Sequence, residues 1–248
     1  MAEKTDLPDF VTPKVAAEVE GWLRHLSAER RMSPKTVEAY RRDVLQFLEF
    51  LAEHLGGAPS LRDLAALAPA DVRAFMAARR NCGIGSRSLM RILAGTRAFA
   101  RFLERNGKGK VGALAAVRAP KVAKTLPRPL TASNAKQMAD PDIAAGDGRE
   151  PWIHARDAAV LALLYGSGLR ISEALGLKRA DFSADNALTV IGKGRKQRMV
   201  PVLPQVQSLI DAYVALCPYD LPFDGSLFVG AKGGALSPRI VQLAMARL

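Results

Sequence analysis

The chain has 248 residues, 49% hydrophobic and 24% charged, enough apolar material for one large or two modest cores and too much for wholesale disorder. Thirty-six Lys and Arg stand against 24 Asp and Glu, and the net charge of +12 points to a polyanion, most often nucleic acid, although some soluble proteins are simply basic. Cys82 and Cys217 have neither CxxC spacing nor His neighbours, residues 1–10 have no apolar core, and the longest apolar stretch, residues 158–165, is far short of a membrane span; these features argue against a zinc site, a secretory signal and a membrane helix, and fit a cytoplasmic protein. The basic surplus is spread along the chain, +7 over residues 1–118 and +5 over 119–248, unlike a basic tail on a neutral body.

Residues 14–31 read as a first helix, with Val15, Val19, Trp22, Leu23 and Leu26 on one stripe. Ser33 and Pro34, an N-cap and a first-turn proline, open a second; Val37, Tyr40, Val44, Phe47, Leu48, Leu51 and Leu55 share its apolar face, and Gly56 ends it. A short helix over residues 69–80 follows. A fourth runs from Ser86 to Arg105, with Leu89, Ile92, Leu93, Phe99 and Leu103 on one side. Opposite them, Arg87, Arg91, Arg97, Arg101 and Arg105 fall within roughly a third of the circumference. A solvated face normally mixes charge signs, so this one is expected to meet phosphates, with a plain solvated surface as the alternative. Residues 106–130 are turn-rich, basic and proline-punctuated; 119–130 in particular, with Lys121 and Lys124, reads as an interdomain linker able to follow a phosphate backbone.

The second half predicts a helix over 131–139, a polar loop over 140–150, a buried apolar helix over 156–165 and a short helix over 171–177. Residues 188–191 and 198–202 read as strands of a hairpin around Gly192-Lys193-Gly194-Arg195-Lys196. A helix over 204–216, a short strand over 227–229 and a last helix opened by Ser237 and Pro238 complete the chain.

Two segments carry chemistry. In the first, Arg170 follows the Gly166-Ser167-Gly168 break and Glu173 lies three residues on, so both share a face. An acid there can orient a guanidinium whose fork matches two oxygens of a phosphodiester. An ordinary surface ion pair is one alternative. The first helix of a helix-turn-helix is another, although the hairpin stands where a recognition helix belongs. In the second segment, glycines flank Lys193, which can donate a proton to a leaving oxygen or merely touch phosphates; no nucleotide P-loop pattern is present.

Together and in this order, Gly168-Leu-Arg-Ile-Ser-Glu173 and Ile191-Gly-Lys-Gly194 resemble the tyrosine recombinase (lambda-integrase) family, nearest the bacterial Xer group and its XerC type. The likeness extends over essentially the whole chain, including Ser33-Pro-Lys-Thr-Val-Glu-Ala-Tyr40 and the linker. It implies a mainly α protein with a small β-hairpin sheet: a four-helix, SAM-like core-binding domain over 1–118, the linker over 119–130, and an incomplete mixed α+β catalytic domain over 131–248. It further implies that Arg170 binds the scissile phosphate, Glu173 orients it and Lys193 is the general acid toward the 5′-hydroxyl. Neither metal nor other cofactor is expected, because a phosphotyrosine intermediate conserves the bond energy. Expected DNA contacts are Lys35, Arg41, Arg87, Arg91, Arg97, Arg101, Arg105, Lys121, Lys124, Arg195, Lys196 and Arg198. Expected partners are double-stranded DNA and other recombinase subunits, as a tetramer on DNA and with a XerD-type protein among the options.

One departure stands out. The family uses a His-x-x-Arg pair, a further His or Trp, and a tyrosine nucleophile C-terminal to these segments. His25, His54 and His154 are followed at the third position by Ala28, Gly57 and Asp157, and Tyr40, Tyr165, Tyr213 and Tyr219 all lie upstream of the expected place. The sequence therefore reads as truncated within its final helix and, by itself, unable to cleave DNA. A non-catalytic DNA-binding relative is the alternative; a transcription regulator built on residues 171–177 is a third.

Overall fold

A computed structural model describes residues 8–122, 148–182, 187–192 and 196–247. They belong to two compact units, Met1–Thr125 and Leu126–Leu248. The described residues are mostly helical, with one two-stranded antiparallel sheet.

The first unit contains α1 (Pro13–Arg24), a π-helical turn (His25–Glu29), α2 (Pro34–Leu55), α3 (Leu61–Ala66), α4 (Pro69–Asn81), α5 (Ser86–Arg105) and α6 (Gly112–Ala116). Both ends of α2 follow local chemistry. The Thr36 amide donates to Ser33 Oγ at 3.2 Å, and Gly56 closes the helix at a φ of 77° that a side chain would strain. Val44, Phe47, Leu48 and Leu51 of α2 are buried against Ile92, Leu93, Phe99 and Leu103 of α5, with Val15, Val19, Trp22, Val72 and Phe75 completing the core. Leu55, expected on the same face, is 46% exposed, because the last turn of α2 runs past the core.

Three expectations change in this unit. The helix foreseen over 14–31 stops being α-helical at Arg24: Arg30 N–H bonds to the His25 carbonyl, and Arg31 then turns the chain in the left-handed region at φ 46°. A helix not foreseen, α3, is set by a reciprocal capping box, with Ser60 N–H donating to Asp63 Oδ2 at 2.8 Å and Asp63 N–H to Ser60 Oγ at 3.3 Å. Part of the turn-rich segment is packed: Val111, Ala113, Leu114 and Val117 are buried in the first core. Burying those apolar side chains outweighs the turn-forming glycines around them.

The second unit contains α7 (Pro151–Gly166), α8 (Ile171–Ala174), a 3-10 turn (Arg179–Asp181), β1 (Ala187–Ile191), β2 (Gln197–Pro201), α9 (Pro204–Leu216) and α10 (Pro238–Arg247). Helix α7 starts five residues earlier than foreseen, at a proline in its first turn, and is apolar nearly all round. It also buries Arg156 and Asp157, which pair with each other at 2.7 Å, while Arg156 Nη1 donates to the Val229 carbonyl. Helix α9 lies against it, burying Val206, Ile210 and Tyr213. The hairpin register sets Leu188 opposite Val200 and Val190 opposite Arg198. The strand foreseen over 227–229 is not formed; only isolated bridges join Lys178 to Ser226 and Val229 to Ala235. The helix foreseen over 131–139 and all but the last three residues of the 140–150 loop lie outside the described residues.

Candidate active site

The site grows out of the turn after α7. Gly168 adopts a φ of 61°, and the Ser167 hydroxyl donates to the Pro201 carbonyl at 3.2 Å, tying the turn to the end of β2. Leu169 is buried, which holds the next residue at the surface. Arg170 is the extended N-cap residue of α8 and Glu173 its third helical residue, so the acid reaches back: Arg170 N–H donates to Glu173 Oε2 at 2.9 Å. Arg170 Nη1 donates to Oε1 at 2.8 Å.

A second guanidinium shares this carboxylate. Arg198, on β2, donates from Nη1 to Oε1 at 3.0 Å and from Nη2 to Oε2 at 2.8 Å. The side chains of Arg170, Glu173 and Arg198 are 60%, 6% and 38% exposed. Hydrogen bonds from Arg198 hold the Glu173 carboxyl down to about 2, overcoming its burial, with the Arg170 amide and guanidinium adding to the effect. The same bond raises the Arg198 guanidinium above its ordinary value. Glu173 is therefore ionised across the physiological range, and the trio carries one net positive charge.

Gly192 borders the trio. A Cβ on it would lie 3.0 Å from Arg198 Nη1 and 3.6 Å from Glu173 Oε1. The first glycine of Gly-Lys-Gly thus clears a path for a guanidinium of this chain, a use not foreseen for it. The hairpin accordingly brings the residue before Lys193 against the Arg170–Glu173 pair. Lys193 and Arg195 themselves lie outside the described residues, as does Lys124. Lys196 is exposed at the hairpin end, its carbonyl accepting from Gly192 N–H at 2.8 Å.

The arginine face of α5 divides in two. Arg91 Nη1 meets the fully buried Asp43 of α2 at 2.5 Å. Arg97 donates from Nε to the Leu114 carbonyl at 2.8 Å and from Nη2 to the Val117 carbonyl. Both are half-buried struts joining α5 to its neighbours. Arg87, Arg101 and Arg105 are exposed. An acid does meet the face, but it comes from another helix, which sequence spacing along α5 cannot reveal. Of the other expected contacts, Lys35 is exposed and 3.4 Å from Glu38, Lys121 is exposed, and Arg41 is half-buried with an Nε lacking a hydrogen-bond partner among the described residues.

The tyrosines have other surroundings. Tyr213 is fully buried, its oxygen accepts from Val229 N–H at 3.2 Å, and burial raises its hydroxyl well above the ordinary value. Tyr40 stacks on Trp22, and Tyr219 donates to the Ala231 carbonyl at 2.7 Å. Tyr165 is exposed on the last turn of α7. His25 contacts Glu29, and His54 contacts Asp71; both belong to the first unit.

Sequence reasoning missed what Arg198 does. It shares strand parity with the buried Val200, and register places it opposite the buried Val190, so it stands on the inward face of the hairpin. An inward-facing arginine requires an acid, and that period-two signal was available.

Residues 19–107 match the phage integrase N-terminal SAM-like domain, and residues 131–248 match the phage integrase family. The chain is similar to tyrosine recombinase XerC of Bradyrhizobium diazoefficiens, 62% identical over 239 residues that make up 95% of this chain and 74% of that protein. It is also similar to tyrosine recombinase XerC of Nitrobacter winogradskyi, 59% identical over 250 residues, 100% of this chain and 78% of that one. Among solved structures, a lambda integrase tetramer bound to a Holliday junction matches with a TM-score of 0.66 at 17% identity, over 95% of this chain and 65% of that one, a likeness of fold alone. Family domains, identity and fold agree: this chain belongs to the tyrosine recombinases of the phage integrase family, proteins of site-specific DNA recombination.

Proposed function

We propose that this chain belongs to a Xer-type recombinase that acts at a chromosomal recombination site and resolves chromosome dimers in the cytoplasm. Residues 1–118 form the core-binding domain, 119–130 the linker and 131–248 the matched part of the catalytic domain. The observation that carries the reading is the trio: Arg170 is 60% exposed yet held by a buried carboxylate that a second arginine neutralises. Such a guanidinium is prepaid in orientation and free to stabilise an oxyanion on phosphorus.

In strand cleavage a tyrosine oxygen attacks the scissile phosphorus and the bond to the 5′ oxygen breaks. Arg170 stabilises the charge on the phosphoryl oxygens, and Lys193 gives its proton to the departing 5′ oxygen. The chemistry draws on acid–base and covalent catalysis, with neither metal nor nucleotide. Arg87, Arg101, Arg105, Lys35, Lys121, Lys124, Arg195 and Lys196 supply phosphate contacts on duplex DNA. The active assembly is a tetramer on DNA in which a XerD-type protein is the partner.

Residues 1–248 alone bind without cleaving. Tyr213 and Tyr219 are engaged by backbone groups and Tyr40 is stacked in the first unit, so none of the three is poised as an attacker. A suicide duplex carrying the recombination site tests both parts. Residues 1–248 should retard the duplex in a mobility shift and leave no covalent adduct; Arg170→Gln should weaken the shift about tenfold or more. A covalent adduct from residues 1–248 would show that one of these three tyrosines or the exposed Tyr165 attacks, and an unchanged shift for Arg170→Gln would remove Arg170 from the phosphate.

A further inference from the structure

We infer that Arg198 is a positioning residue that keeps Arg170 available: by filling both oxygens of Glu173, it prevents Arg170 from closing a two-point pair with that carboxylate and withdrawing from DNA. This deepens the function proposed above and rests on it.

A carboxylate accepts about four hydrogen bonds, two at each oxygen. All four are present. Oε1 takes Nη1 of Arg170 and Nη1 of Arg198; Oε2 takes the Arg170 amide and Nη2 of Arg198. Arg170 is consequently limited to one side-chain bond, and its Nε and Nη2 have no hydrogen-bond partner among the described residues. Those are the donors left for a phosphodiester.

Remove Arg198, and two acceptor sites open on a carboxylate whose side chain is 6% exposed. Buried acceptors do not stay empty when a donor is in reach. The nearest guanidinium is Arg170, three residues away on the same turn and already bound at one point. Arginine and carboxylate prefer the two-point fork. Closing it turns Arg170 inward, at a site whose charge the loss of Arg198 has itself already lowered from +1 to zero. Arg198 thus acts at a distance on the phosphate site, by saturating the acid that would otherwise capture the functional arginine. Its inward place on β2, opposite the buried Val190, holds it to this duty.

The test compares two duplexes that carry the recombination site, one natural and one with a neutral methylphosphonate at the scissile position. The chain with its own sequence should bind the natural duplex at least tenfold more tightly. Arg198→Met should cut that preference to less than twofold. Adding Glu173→Gln to Arg198→Met should restore most of it, since an amide offers Arg170 no two-point anionic partner. A merely structural role for Arg198 lowers affinity for both duplexes alike and leaves their ratio unmoved. If Arg198→Met does not fold, Arg198→Lys takes its place: one point of contact leaves an acceptor open, the preference drops at least threefold, and Glu173→Gln again restores it. A single variant that keeps the full preference, or a double variant no better than the single, overturns the inference. Equal binding of both duplexes by the unaltered chain instead overturns the phosphate role of Arg170, so the two failures are distinct.

Discussion

Asp43 in the first unit and Glu173 in the second are both carboxylates withdrawn from water beside arginine, and they respond in opposite directions. Asp43 is fully buried, receives one strong bond from Arg91, and keeps its Oδ1 without a partner among the described residues; burial wins and raises its carboxyl above the ordinary value, against the pull of Arg91. Glu173 collects four donors, and its carboxyl falls to about 2. The difference teaches that depth and donors together decide whether such an acid stays charged: Asp43 is deep with few donors, whereas Glu173 lies nearer solvent and has four. It also separates two classes of arginine: Arg91 serves the acid, whereas at Glu173 the acid serves Arg170.

Stripping the first pair should produce the largest effect. Arg91→Met leaves a buried carboxylate without its cation and should cost about 2–3 kcal/mol in urea unfolding at neutral pH, toward the low end for buried pairs because Arg91 is 40% exposed. The loss should shrink on acidification, since Asp43 then takes up a proton and needs no cation. A loss independent of pH would mean that Arg91 acts through packing alone.

The exposed arginines of the same helix should behave in the reverse way. Arg101→Glu with Arg105→Glu should leave the urea midpoint in place while weakening DNA binding tenfold or more. The slope of log K against log salt should become shallower by roughly 2, about 0.9 for each phosphate no longer neutralised. Unfolding of this double variant would place both residues in the class of Arg91 and Arg97.

Those contrasts mark how much was legible in the sequence. Helices α2 and α5 could be read nearly to the residue because their signals are local: Ser33 and Pro34 at one end, Gly56 at the other, and unbroken apolar stripes between. The hairpin strands and the start of α8 could be read for the same reason, although α8 ends at Ala174, short of the 171–177 foreseen. What escaped depends on partners distant in sequence. Asp43 stands 48 residues before Arg91, and Leu114 and Val117 stand 17 and 20 residues after Arg97, so one helical wheel cannot divide struts from phosphate contacts. Arg198 lies 25 residues from Glu173, and only the hairpin register turns it inward.

Acid unfolding should sharpen the comparison further. A carboxylate depressed in the folded state contributes stability that is complete above its unfolded value of 4.5 and is lost as pH falls toward about 2. Asp43, raised when folded, works the other way: stability declines as pH climbs through the range above 3.8. Glu173→Gln should therefore differ from the unaltered chain by a constant amount above pH 4.5, and the gap should close between 4.5 and about 2. A gap that widens on acidification would assign the acid limb to other groups.

The smallest expected effect is at Gly192, and it isolates geometry from charge. An added Cβ would lie 3.0 Å from Arg198 Nη1, so the guanidinium must yield by a few tenths of an ångström. Gly192 does not sit in the left-handed region, and alanine restricts the unfolded chain, a gain of about 0.4–1 kcal/mol that offsets part of the crowding. Stability should then change by less than about 1 kcal/mol either way. The Arg198–Glu173 fork nevertheless loses its best alignment, and charge-assisted pairs depend steeply on alignment. Gly192→Ala should lower the preference for a charged scissile phosphate two- to threefold while the total charge of the site is unchanged. If that preference holds while Arg198→Met abolishes it, neutralising Glu173 matters and the two-point geometry does not; if both fall, the fork itself keeps Arg170 turned toward DNA.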